Sequence, residues 1–314
     1  MVSEVGALGA RLVVLDEHGD RQAELLRETP GRVRDTNPAI SPDGKSIVFE
    51  SSRDRTDGKT SLWIAPLQLD AVPQRLTSGG LDRQPVWTPD GKAIVFARAP
   101  EGSEHFDLYR LTLDDHQLDR ISNEPGDEVA PSIAPDGQIF YCEVAGSGAQ
   151  LESHDPHDIT RYGPVTHGPA DTSPAVSPDG KWIVYSAPIP HHGIPDADLW
   201  VMSMDGVTHE PFVQLPISDE SGPVWSPDGR YVFATSAVRS VVDGRVLASS
   251  VIAVDFQTRT ARILQDRSGY IPRLTPAIAP RSLDRAALAA DPEYVPALVR
   301  LLAKAVAAQE QEPR

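Results

Sequence analysis

Five near-copies of one short segment constrain this chain more than any other feature. They read NPAISPDGKSIVF from Asn37, QPVWTPDGKAIVF from Gln84, APSIAPDGQIF from Ala130, SPAVSPDGKWIVY from Ser173 and GPVWSPDGRYVF from Gly222. Their turn prolines are Pro42, Pro89, Pro135, Pro178 and Pro227, and a decayed sixth copy, TPAIAP, ends at Pro280. Self-similarity at a period of 40 to 50 residues marks a repeat architecture, in which no unit can bury its apolar face alone.

Within a unit the pattern is extended. The first complete one runs PAIS, the Pro-Asp-Gly turn, SIVFESS, the polar RDRTDGKT, SLWIAPL and QRLTSG. Proline presets φ, Asp bonds its own downstream backbone, and Gly accepts the positive φ that joins two antiparallel strands. Four short strands per unit describe a propeller blade. The gaps are too short and too rich in Gly, Pro and Asp for the crossover helices of a parallel α/β sheet. Six copies of the first-strand motif predict an all-β fold, a six-bladed β-propeller of four-stranded antiparallel blades over residues 1–290. N- and C-terminal strands close the ring in this reading, which hides the sheet edges. Its weak point is DRAALAA (284–290), which reads as a degenerate strand or as part of a helix. DPEYVPALVRLLAKAVAAQ, with Asp291 as N-cap and Pro292 at the first helical position, predicts a C-terminal amphipathic α-helix and tail over 291–314.

The formal charge of −16 argues against nucleic-acid phosphates as a target and favours cations or basic protein surfaces. The lone cysteine, Cys142, lies in an apolar run and reads as a core residue, so no intramolecular disulfide forms. No run of about 20 apolar residues predicts a transmembrane segment. The N-terminus lacks the basic and apolar regions of a secretion signal. A periplasmic or envelope location therefore requires a removed leader or lipobox, and a cytoplasmic one does not.

With Ser/Thr/Ala-Pro-Asp-Gly between the first two strands, and Leu62-Trp63, Leu108-Tyr109 and Leu199-Trp200 opening three third strands, the sequence resembles the TolB-type (WD-repeat-like) β-propeller repeat over about residues 7–290. The resemblance implies a propeller that serves as a protein- or peptide-binding scaffold, here taken as a monomer of a bacterial envelope. The same repeat occurs in lipoproteins, in gating propellers of prolyl-oligopeptidase-like enzymes and in polysaccharide lyases. The chain carries no Gly-x-Ser-x-Gly elbow, and at most about 35 residues precede the first motif.

Three residues before each first-strand proline the chain reads Asp35, Asp82, Glu128, Asp171, Glu220 and finally Arg273. First strands line a propeller's channel, so these side chains predict a ring at one mouth. One reading has each carboxylate bonding its own loop. The other has the ring binding basic side chains of a protein or peptide partner, or a divalent cation held by the five acids. The resemblance implies Ca²⁺ in the channel, and no cofactor is required. Arg273 breaks the ring and can itself neutralise it. His154, with His157 and His167 nearby, and the pair His191 and His192 are candidate metal ligands for a lyase-like site, though no helical spacing converges them. An enzyme acting on polysaccharide in the channel, as lyase or glycoside hydrolase, is the competing class. Trp87 and Trp225 share one strand position and Trp63 and Trp200 another, which predicts packing between blades.

Overall fold

The computed structural model describes residues 2–6, 9–15, 21–26, 33–55, 57–155, 163–191, 194–215, 218–239, 246–267 and 273–274. Five sheets radiate from one axis. Blade one is built on Val33–Ile40, Ser46–Ser51, Ser61–Pro66 and Gln74–Arg75, and blade two on Gly80–Trp87, Ala93–Pro100, Asp107–Thr112 and Leu118–Arg120. Blade three comprises Asp127–Ile133, Ile139–Ala145, Gly148–His154 and Gly163–Pro164. Blade four comprises Thr172–Val176, Trp182–His191, Ile194–Ser203 and His209–Val213, and blade five Ser218–Trp225, Tyr231–Arg239, Val246–Asp255 and Ala261–Arg267.

The expectation of six blades with a C-terminal helix is corrected here: the described residues form five blades and contain no helix. The N-terminal strands Val2–Gly6, Gly9–Leu15 and Arg21–Glu24 do not make a separate sheet. Gly9 and Ala10 pair in parallel with Val33 and Arg34, which fuses these strands to blade one as an eight-stranded sheet. Val2 and Ser3 pair in turn with Leu274 and Arg273. The decayed motif at Thr275–Pro280, the segment 284–290 and residues 291–314 lie outside the described residues. First strands of successive blades lie side by side, and Arg273–Leu274 touches those of blades five and one.

The turn copies fold alike because their chemistry is local. Ser41 Oγ–H donates to Asp43 Oδ1 at 2.6 Å, the same oxygen accepts the Lys45 amide at 3.1 Å, and Ser41 Oγ accepts the Ser46 amide at 2.9 Å. Thr88 with Asp90, Ser177 with Asp179 and Ser226 with Asp228 repeat this arrangement. In blade three Ala134 has no hydroxyl, and the Gln138 amide still donates to Asp136 at 3.1 Å.

The core lies between blades. Leu199, Val201 and Phe212 of blade four meet Trp225, Val232 and Ile252 of blade five, and Val48 and Leu62 of blade one meet Ile94 and Phe96 of blade two. Trp87 Nε1–H donates to the Ala39 carbonyl at 3.0 Å, and Trp225 Nε1–H to the Ala175 carbonyl at 2.6 Å. The shared tryptophan position thus ties each of two blades to the one before it. Cys142 is buried among Phe140, Leu151 and Tyr185, and burial pushes its thiol up to about 12.

Candidate functional site: the acidic ring and its latches

Each ring acid enters its blade where the first strand begins, just ahead of a β-bulge. The bulge residues Asn37, Gln84, Ala130 and Ser173 adopt φ between 45° and 55°, and Gly222 adopts 59°. At each of these places the pairing of first and second strands slips, between Thr36 and Ala39 in blade one and at the matching places in the other four. A bulge adds local twist and re-aims the neighbouring side chains. Asp82, Glu128 and Glu220 are 0 % exposed, and Asp35 and Asp171 4 %.

Burial of a carboxylate demands donors, and each acid has them at hand. Asp35 Oδ1 accepts the Ser51 hydroxyl at 2.7 Å and Arg53 Nε at 3.3 Å, while Arg53 Nη2 reaches Oδ2. Asp82 pairs with Arg98 at 3.2 Å and accepts the Thr77 hydroxyl. Thr77 ends blade one, and its Oγ1 also accepts the Leu62 amide at 2.8 Å. One hydroxyl therefore links the third strand of blade one to the first strand of blade two. Ser122 repeats the link one blade on, accepting from Leu108 at 2.7 Å and donating to Glu128, whose other oxygen accepts the Glu124 amide at 2.7 Å. Asp171 Oδ2 accepts the Gly168 amide at 3.1 Å, and a Cβ on Gly168 would stand 2.2 Å from the carboxylate.

The fifth junction is different. Glu220 Oε1 accepts hydroxyls from Ser218 at 2.7 Å and Ser236 at 2.9 Å, and the carboxyl hydrogen-bonds that of Asp198 in blade four, also 0 % exposed. Two carboxyl groups can share a hydrogen bond only if one keeps a proton. Burial, then repulsion from Asp198, holds Glu220 well above the usual carboxylate range. Burial also raises Asp82, against the pull of Arg98 and Thr77, and raises Glu128.

A second relay joins the bulges. Glu50, 5 % exposed, accepts the Thr36 hydroxyl at 3.1 Å, the Asn37 side-chain amide and the Gln84 backbone amide at 2.7 Å. Gln84 Oε1 then accepts the Ala130 amide at 2.9 Å. Bulge, side chain and next bulge are thus coupled across blades one, two and three. Sequence reasoning misses Glu50, Gln84, Thr77 and Ser122, because only the slipped register reveals which hydroxyl or amide faces which blade.

The structure places the five acids at equivalent positions but does not bring them together as ligands. Ca²⁺ takes six to eight convergent oxygens at 2.3–2.6 Å, whereas these carboxylates are buried and accept from protein donors of their own blades and loops. Among the described residues no three His, Cys, Asp or Glu side chains converge on a point where a metal ion could sit. The acids therefore do not fit a calcium cage. His154 ends the third strand of blade three, and burial lowers its affinity for a proton. His191 ends the second strand of blade four, and its side chain, His192, His157 and the side chain of Arg273 lie outside the description.

Five sheets arranged as blades, each with a buried acid where its first strand begins, define a β-propeller. Residues 10–229 match the TolB β-propeller domain family, and the chain belongs to that family. The Tol-Pal system protein TolB of Francisella tularensis subsp. tularensis is 28% identical over 214 residues, 65% of this chain and 47% of that protein. The chain thus spans about half the length of the TolB relatives it matches. TolB from Acinetobacter baumannii superposes with a TM-score of 0.68 at 19% identity, over 88% of this chain and 66% of that one. A putative TolB from Agrobacterium tumefaciens gives 0.66 at 20% identity, over 88% and 99%.

Proposed function

We propose that this chain is a non-enzymatic binding module that recognises a protein or peptide of a bacterial envelope through the channel mouth of its propeller. The observation that carries the reading is the engagement of the ring acids. Groups that could serve as acid, base or metal ligand are buried and engaged by protein donors, so the loops they position form the available surface. Loops on a rigid scaffold are the usual seat of recognition. The charge of −16 selects a partner with basic side chains, attracted at long range and less so at high salt. The TolB relatives are named for the Tol-Pal system, which supports an envelope location. No helix among the described residues is long and apolar enough to cross a membrane.

The test is co-precipitation of the purified chain from an envelope extract of its source, alongside an assay for unsaturated sugar released from polygalacturonate. A saturable, salt-sensitive complex without sugar release is the expected result. Release of sugar, or failure to retain any envelope protein, would overturn the reading.

A further inference from the structure

At the opposite end of the first strands, on the side of the Pro-Asp-Gly turns, a pocket of about 240 Å³ opens between blades two and three. Its apolar wall is Val95 and Ile121 from blade two and Ile133 and Ile139 from blade three. Arg110 enters it from the third strand of blade two, two residues after Leu108. The residues two after the matching leucines in blades one and four are Ile64 and Val201, and Val201 is 0 % exposed in the core between blades four and five. A cation thus stands where blades one and four put a hydrophobe and blade three, after Leu151, puts Ser153, and the space beside it is left unfilled.

Arg110 Nε is buried and has no hydrogen-bond acceptor among the described residues. Buried donors are satisfied in nearly all folded proteins, so an orphaned donor on a guanidinium side chain that lines a cavity points to a missing acceptor. The charged groups at the rim are Asp90 and Asp136 of the two adjoining turns, both exposed. Asp90 Oδ1 is taken by the Thr88 hydroxyl at 2.6 Å and the Lys92 amide at 3.1 Å, and Asp136 Oδ1 accepts the Gln138 amide at 3.1 Å.

We infer that this pocket is a binding site for a small carboxylate carried on a branched aliphatic body. The carboxylate accepts from the planar guanidinium edge, and the body covers Val95, Ile121, Ile133 and Ile139. The volume suits a ligand smaller than a drug-sized molecule. The two rim acids are screened by water yet disfavour a bare anion, so a ligand with an ammonium beside its carboxylate binds tighter.

Methyl NMR of the full chain tests the site, with 4-methylpentanoate and leucine as probes and 4-methylpentanamide as the neutral control. Methyl shifts at Val95, Ile121, Ile133 and Ile139 should saturate with both acids, leucine being the stronger because its ammonium offsets the rim acids Asp90 and Asp136. Loss of the charge-assisted pair should weaken the amide, and either acid on Arg110→Ile, by roughly tenfold or more. Absence of shifts at about 10 mM of either acid, far above the working range of a specific small-molecule site, would overturn the proposal. So would equal binding of the amide, a comparison on the unmutated chain that holds even if Arg110→Ile fails to fold.

Discussion

Thr77 shows how much one hydroxyl can carry in this fold. It accepts from the Leu62 amide and donates to Asp82, so a single side chain satisfies a strand end and a buried acid on the next blade. Thr77→Val keeps the shape and strands both groups, which should cost about 1–3 kcal/mol in urea unfolding, against near-neutrality if the hydroxyl were incidental. Glu152 offers a proton-linked test. Burial, then repulsion from Glu143, lifts its carboxyl to about 7 from an ordinary 4.5. The folded chain holds that proton more tightly than the unfolded chain does. Its contribution is therefore complete below pH 4.5 and is lost as pH rises toward 7. Glu152→Gln should flatten the fall in melting temperature between pH 5 and 7.5, and an unchanged slope would show that Glu152 does not titrate there.

Among the elements, the bulged first strand sets the geometry of the rim and the tryptophan at its far end sets the stacking. Trp87→Phe and Trp225→Phe retain a ring but remove the indole N–H given to the preceding blade. Each should lower stability by about 0.5–1.5 kcal/mol. The two sites lie in blades two and five, which are not neighbours, so the double variant should show the sum, to within about 0.5 kcal/mol; a larger or smaller loss would mean that the blades couple beyond neighbours. These strands also mark where sequence is legible. The Ser-Pro-Asp-Gly turn could be read directly, because its bonds join residues two to five apart. The bulge could not. Asn37, Gln84, Ala130, Ser173 and Gly222 share a positive φ but no residue type, since the conformation is imposed by the strand pairing around them. The same slip turns the acids inward, so their even spacing was visible while their burial was not.

The whole molecule is a ring of blades whose cohesion lies at the junctions. The repeat period made the propeller legible, but blade number depends on how the ends pair. The parallel bridge from Gly9 and Ala10 to Val33 and Arg34 merges the N-terminal strands with blade one, a long-range choice that no local motif encodes. The central claim is that the ring acids are held by protein donors, some within a blade and some across a junction, and do not serve as a cation site. Asp35 tests it most directly, because its partner Arg53 is itself only 7 % exposed. Removing one partner of a buried ion pair costs about 3–5 kcal/mol. The decisive measurement is thermal melting of the wild type and Asp35→Asn, each with millimolar calcium and with chelator. A large drop in the melting temperature of Asp35→Asn, equal in both conditions, with a wild-type value indifferent to calcium, is expected. A calcium-dependent rise in the wild type that disappears in Asp35→Asn, with the chelated proteins equally stable, would contradict the claim.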